Sequence, residues 1–230
     1  MIGAGQLRTG RPLRIGITMR IDLAPGHGEP RDALARGWSA FMSAVLPEAI
    51  WVPLPNSGSG CVDIASGLDL SGFILSGGND IGEMPERDET ETAILQYAVD
   101  RGLPVFGVCR GMQMITSFFG GTLTACPEDA HMRTCHPVYF VPEATLPGGP
   151  SSAVVNSYHG NGVSIEALPA CLLLAATADG GWIEAVRHVS LPIAGVMWHP
   201  EREEEPTWTD ARLIRNLFGL AGAFPSEFTR

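Results

Sequence analysis

Residues 104–114 read P-V-F-G-V-C-R-G-M-Q-M. An apolar run enters a Gly-x-Cys-x-Gly turn, and a helical pattern follows at once. This is the layout of a nucleophile elbow, a strand-to-helix turn that holds one reactive side chain clear of a sheet. Gly107 and Gly111 remove β-carbons where strand and helix would crowd. Cys109 would stand at a helix start. Unpaired N–H groups and the helix dipole there favour a thiolate over a thiol. A free Cys is also an ordinary core residue. Nucleophilic chemistry therefore needs three further parts from elsewhere in the chain: a base, a group that orients the base, and an oxyanion site.

Six histidines are candidate bases: His27, His131, His136, His159, His188 and His199. His199 stands out, because it follows an apolar run in the tetrapeptide W-H-P-E at 198–201. Pro200 disfavours helical backbone at His199, and residues i and i+2 of an extended segment face one side. The His199 imidazole and the Glu201 carboxylate are therefore expected to project together. Such a carboxylate fixes the ring's tautomer and stabilises its charged form. The competing reading is that Glu201 only opens the acidic run E-R-E-E-E. For the oxyanion, the Arg110 N–H follows the nucleophile directly. A second N–H could come from L-S-G-G-N-D at 75–80, where Gly77 and Gly78 leave the backbone open to a substrate oxygen. Gly-Gly and Asn-Asp also form plain turns anywhere. The loop gains weight because ligands gather at the C-terminal ends of parallel strands.

The elements that must carry these groups are legible in outline. Residues 13–18 alternate and read as a first strand. Residues 19–36 hold several Gly and Pro and read as an exposed loop, with a short helix over about 32–45. A strand at 49–52 ends at Pro53. Residues 72–75 form an apolar strand, and 86–99 a helix stopped by Gly102 and Pro104. The elbow strand and a helix over 110–119 follow. Short β-like pieces and turns run to about 163. Segments 171–178, 181–188 and 192–198 then read as consecutive strands, and 210–220 as a closing helix with Asp210 as its N-cap. Alternating strands and helices predict a mostly parallel central sheet flanked by helices, with antiparallel strands added by the second half. No domain boundary is evident, so residues 1–230 are expected to form a single α/β domain.

Composition narrows the function classes. The chain has 230 residues, 45% hydrophobic and 17% charged, with a formal net charge of −10. That balance, without a Lys/Arg block, argues against nucleic-acid partners and anionic membrane surfaces. No apolar run is long enough to span a bilayer, and the N-terminus does not read as a secretory signal. The cysteines (Cys61, Cys109, Cys126, Cys135 and Cys171) are odd in number and scattered, unlike a disulfide framework. A reducing cytoplasm is the expected location.

G-V-C-R-G-M-Q with W-H-P-E some ninety residues later resembles the triad-type (class I) glutamine amidotransferases, which have a flavodoxin-like fold. With Arg after the Cys, L-S-G-G-N-D upstream, R-D-E-T-E opening the intervening helix and N-S-Y-H downstream, the chain is similar to their γ-glutamyl peptidase branch. That branch includes γ-glutamyl-γ-aminobutyrate hydrolases. The resemblance covers about residues 13–201. It implies Cys109 as nucleophile, His199 as base and Glu201 as its orienter. It also implies oxyanion N–H groups from Gly78 and Arg110, with Gln113 lining a glutamyl pocket. Gly77, Asn79, Ser157 and Tyr158 would be substrate contacts, and His159 a substrate contact or a loop anchor rather than the base. The chain departs from the family after N-S-Y-H, where Gly160-Asn161-Gly162 follow, and at 27–34, which has no counterpart.

The implied reaction is hydrolysis of a γ-glutamyl amide through a thioester, on a small-molecule substrate and with no organic cofactor. The alternative is a glutaminase that hands ammonia to a separate synthetase partner. A non-enzymatic binding module ranks lower, since no triad position is missing. A homodimer stays open. Cys126, His131, Cys135 and His136 fall within eleven residues, but their spacing matches no paired zinc signature. The expectation there is no metal and a partly buried turn, with His131 and Arg133 near the glutamyl carboxylate.

Overall fold

Residues 12–142 and 149–220 are described by the structure, a computed structural model. One nine-stranded sheet organises them. Its order is Ile50–Leu54, Arg14–Thr18, Gly72–Leu75, Val105–Val108, Ile193–Val196, Ile183–His188, Leu172–Thr177, Met132–Phe140 and Ser152–Tyr158. The first five strands are mutually parallel. The last four join antiparallel. The three central parallel strands are buried at every residue, as expected of strands covered on both faces.

Period-two alternation splits the apolar side chains between two cores. Phe106 and Val108 face one core with Trp38, Phe41 and Val45, under the helices Gly37–Val45 and Trp208–Leu217. Val105, Phe73 and Leu75 face the other with Ile94, Leu95, Met114 and Ile115, under Pro85–Arg101 and Arg110–Phe118. Trp38 is thus a core residue, packed edge-on against Phe41.

Several local expectations are corrected. The 19–36 segment is not an open loop, because Arg20–Leu23 pairs antiparallel with Pro30–Ala33. The helix expected from 32 begins only at Gly37. The strand expected to stop before Pro53 continues through it to Leu54. It lies at the sheet edge, where a missing N–H costs no ladder bond. Residues 132–140 and 152–158 form one long antiparallel pair rather than short pieces, with a single register slip between Met132 and Thr134. The closing helix starts at Trp208, and Thr207 caps it by accepting from the Asp210 N–H. Asp210 lies inside the first turn, where it accepts from the Trp198 indole at 2.9 Å. Residue 220 ends the described part of that segment.

Candidate active site

The elbow strand Val105–Val108 delivers Cys109 at the C-terminal edge of the parallel sheet. The turn is tight. A β-carbon on Gly107 would come within 2.5 Å of the Gly111 backbone, and one on Gly111 within 2.1 Å of the Leu75 carbonyl oxygen. Glycine at both positions lets the helix Arg110–Phe118 begin at once. Cys109 absorbs the bend at φ 53°, ψ −108°, an unusual region for a residue with a β-carbon and a form of strain that collects at functional sites. Its N–H donates to the Val196 carbonyl at 2.7 Å, which ties the elbow to the neighbouring strand Ile193–Val196.

That neighbouring strand leads to His199. The pairing with Glu201 is present but arises differently from the extended geometry expected. His199 has φ −112°, ψ 88°, and Pro200–Arg202 forms a 3-10 turn. The turn folds the carboxylate back, and His199 Nδ1 lies 2.8 Å from Glu201 Oε1. Both side chains are buried. The carboxylate can only accept, so Nδ1 carries the hydrogen and Nε2 is left for a second partner. On that side the ring acts on the Cys109 thiol, drawing it toward the thiolate. Gly77 lies against both: a β-carbon there would sit 2.6 Å from His199 Cε1 and 3.6 Å from Cys109 Cβ.

The electrostatics match the geometry. Burial alone would raise the Cys109 thiol. The His199 imidazole overrides this and lowers it, helped by the Arg110 N–H. Burial would depress His199, but Cys109 and Glu201 together carry it up to about 9. Each group thus favours the charged form of the other.

The glycine loop is held from below by a buried charge network. Arg87 donates to the Ser76 carbonyl at 2.7 Å and to the Gly77 carbonyl at 3.1 Å. Its Nε lies 3.1 Å from Glu91 Oε1. Arg110 turns its guanidinium away from the thiol, onto Glu91 and Asp88. Only its backbone N–H serves the elbow. Asn79 accepts from the Ile21 N–H at 2.9 Å and donates to the Ile21 carbonyl at 3.0 Å, clamping the loop to the 20–33 hairpin. A cleft opens between that hairpin and the loop, bordered by Arg20, Leu34, Trp38, Gly77, Gly78, His199 and Glu201.

The remaining expected contacts divide. Gln113 is buried and donates to the Asn161 carbonyl at 2.8 Å. Tyr158 packs edge-on over the His199 ring at 5.7 Å, with Arg202 stacked on it. Ser157 is buried and donates to the His131 carbonyl at 2.7 Å, so its hydroxyl serves the backbone. His159 and His131 converge on Glu184. Arg133 is exposed, with φ 56°, where the register of Met132–Phe140 slips. That side chain is not gathered with the others.

The sequence singled out the segments 87–91 and 156–159 but assigned no role to three supports within them. Asn156 accepts from the His199 N–H at 2.9 Å and donates to the His199 carbonyl at 2.8 Å. Arg87 and Glu91 carry the glycine loop. The i,i+4 spacing of an Arg and a Glu was a usable signal for the last two. Asn156 opens the N-S-Y-H motif, but nothing in the sequence marked the His199 backbone as its partner.

Residues 14–201 match the family model described as Peptidase C26. The chain belongs to the peptidase C26 family. It is 32% identical over 213 residues to a γ-glutamyl-CDP-amidate hydrolase of Campylobacter jejuni, covering 90% of this chain and 98% of that one. It is 36% identical over 117 residues to an anthranilate synthase component 2 of Mycobacterium tuberculosis, about half of each chain. Among solved structures it resembles a protein of Thermoplasma acidophilum assigned as a GMP synthase component, with TM-score 0.63 and 25% identity over 91% of this chain and 94% of that one. A glutamine amidotransferase of Thermotoga maritima has the same fold, with TM-score 0.62 and 14% identity over 91% of this chain and 83% of that one. Among the described residues no helix is long and apolar enough to cross a membrane.

Proposed function

We propose that this peptidase C26 member is a cysteine-dependent hydrolase of γ-glutamyl amide bonds. The observation that carries the reading is Cys109 at a strand-to-helix elbow, packed against Gly77 together with an imidazole whose Nδ1 meets a buried carboxylate. Cys109 sulfur attacks the γ-carbonyl carbon, and the negative charge moves onto its oxygen. The backbone N–H groups of Gly78 and Arg110 are the proposed donors to that oxygen. As the tetrahedral adduct collapses, the C–N bond breaks and His199 gives its proton to the leaving nitrogen. A γ-glutamyl thioester remains on Cys109. His199 then takes a proton from water, hydroxide adds to the thioester carbon, and the C–S bond breaks to release glutamate. Glu201 holds the ring's tautomer and stabilises its charge throughout.

The chain's similarity along nearly its whole length to a γ-glutamyl-CDP-amidate hydrolase supports a γ-glutamyl substrate, and the leaving group is the variable to scan. The half-length similarity to an anthranilate synthase component favours the second reading, a glutaminase delivering ammonia to a synthetase. Glutamate release from glutamine, γ-glutamyl amines and a γ-glutamyl nucleoside diphosphoramidate tests both. Unaided turnover of the γ-glutamyl compounds, abolished in Cys109→Ser, supports the hydrolase. Turnover of glutamine alone, and only with an added synthetase, supports the rival. Undiminished turnover in Cys109→Ser refutes both.

A further inference from the structure

A second buried cluster lies on the antiparallel half of the sheet. His131 enters Met132–Phe140, His136 lies within it, His159 follows Ser152–Tyr158, and Glu184 projects from Ile183–His188. Glu184 Oε1 is 3.7 Å from His131 Nδ1, 3.6 Å from His136 Nε2 and 3.5 Å from His159 Nε2. One ligand atom from each residue lies within 4.8 Å of all the others. These separations are too long for charge-assisted hydrogen bonds, which run to about 2.9 Å. All three facing nitrogens and both Glu184 oxygens are buried without a hydrogen-bond partner. The side chains of His131, His159 and Glu184 are at most 3% exposed.

The rings are also oriented for a ligand. His159 Nδ1 lies 3.1 Å from the Asn161 carbonyl, and His136 Nδ1 lies 3.2 Å from the Pro137 carbonyl. A carbonyl only accepts, so each Nδ1 carries the hydrogen and each Nε2 turns a lone pair inward. Backbone carbonyls orient metal-bound histidines in the same way. Several lone pairs and a carboxylate facing one another repel unless a cation sits among them, and one proton can bridge only one of the contacts.

We propose that His131, His136, His159 and Glu184 form a tetrahedral site for a divalent transition metal, zinc foremost. Zinc–nitrogen and zinc–oxygen bonds of about 2.0–2.2 Å give a tetrahedron with edges of roughly 3.3–3.6 Å. The three contacts to Glu184, at 3.5–3.7 Å, need a slight contraction, and the remaining separations, all within 4.8 Å, close further as the rings draw in around the ion. Protein groups fill all four positions, the pattern of a structural site. The metal takes no part in the acyl-transfer steps. It joins three antiparallel strands and fixes the Asn161 carbonyl, which also receives Gln113 Nε2. The site runs against the expectation of no metal, and its ligands differ from the four residues that crowd together in the sequence. Cys135 is exposed. Cys126 stands behind the His159 ring, with Sγ 3.5 Å from Nδ1.

The test uses the full chain, produced with zinc and with any affinity tag removed. Elemental mass spectrometry should find about one zinc per chain. Glu184→Gln and His136→Ala should bring it near zero, and Cys135→Ser should leave it unchanged. Chelator-stripped protein titrated with Co²⁺ should develop the intense visible bands of tetrahedral cobalt. Zinc at a hundredfold excess over its Kd should raise the melting temperature of stripped protein by about 5–10 °C. Absence of zinc, of cobalt bands and of any thermal shift overturns the proposal. So does full zinc content in both ligand variants. Should a variant fail to fold, the stripped wild-type chain still decides. No readout depends on turnover, so Cys109→Ser protein serves equally and the outcome is independent of the hydrolase reading.

Discussion

Gly77→Ala tests whether Cys109 and His199 act as one reactive pair. The added β-carbon would stand 2.6 Å from His199 Cε1 and 3.6 Å from Cys109 Cβ, whereas ordinary contact begins at 3.4 Å. The thiol tolerates the change, but the ring does not. The ring must retreat by about 0.8 Å (3.4 − 2.6). Its retreat is opposed by Glu201 at Nδ1 and by Asn156 on the His199 backbone. A misplacement of about 1 Å between reacting groups costs roughly 10²-fold in rate, or about 2.7 kcal/mol of barrier. The expected result is a kcat for glutamate release lowered about 10²-fold with KM little changed. Gly60→Ala is the control, because its nearest neighbour would be the Ser57 hydroxyl at 3.9 Å. Thermal melting of both variants separates a local from a global effect. Wild-type kcat in a folded Gly77→Ala protein would show that the ring next to Cys109 is not its base.

Three further outcomes follow from the same geometry. Glu201→Gln keeps the hydrogen-bonding shape but removes the charge behind His199; kcat should fall roughly 10²–10⁴-fold, measured by glutamate release at saturating substrate. Because Cys109 is lowered and His199 is raised to about 9, iodoacetamide should alkylate Cys109 rapidly well below the ordinary thiol value of about 8.5. Turnover should then decline above about pH 9, where the imidazolium loses the proton it must donate. An alkylation profile that steps only near pH 8.5 would contradict the ion pair. Arg87→Met removes the fully buried partner of Glu91 and the donor to the Ser76 and Gly77 carbonyls; it should cost about 3–5 kcal/mol. By calorimetry that is a melting temperature lower by roughly 6–20 °C.

The local chemistry of the chain is set by the sequence alone. Gly107, Cys109 and Gly111 at this spacing favour a tight strand-to-helix bend, and the short apolar runs before Cys109 and His199, bounded by Gly and Pro, read as buried strands. Both facts come from steric and solvation rules that act over a few residues. The pairing of His199 with Glu201 was also legible, although a 3-10 turn achieves it rather than an extended segment. Long-range partners were not legible. Asn156 reaches the His199 backbone from 43 residues away. His159 and Glu184 join His131 and His136 only when the antiparallel strands fold together. Polar side chains carry no mark of the partner they will meet across a sheet. Their roles are assigned by burial, which forces each one to find a partner or leaves it waiting for a cation.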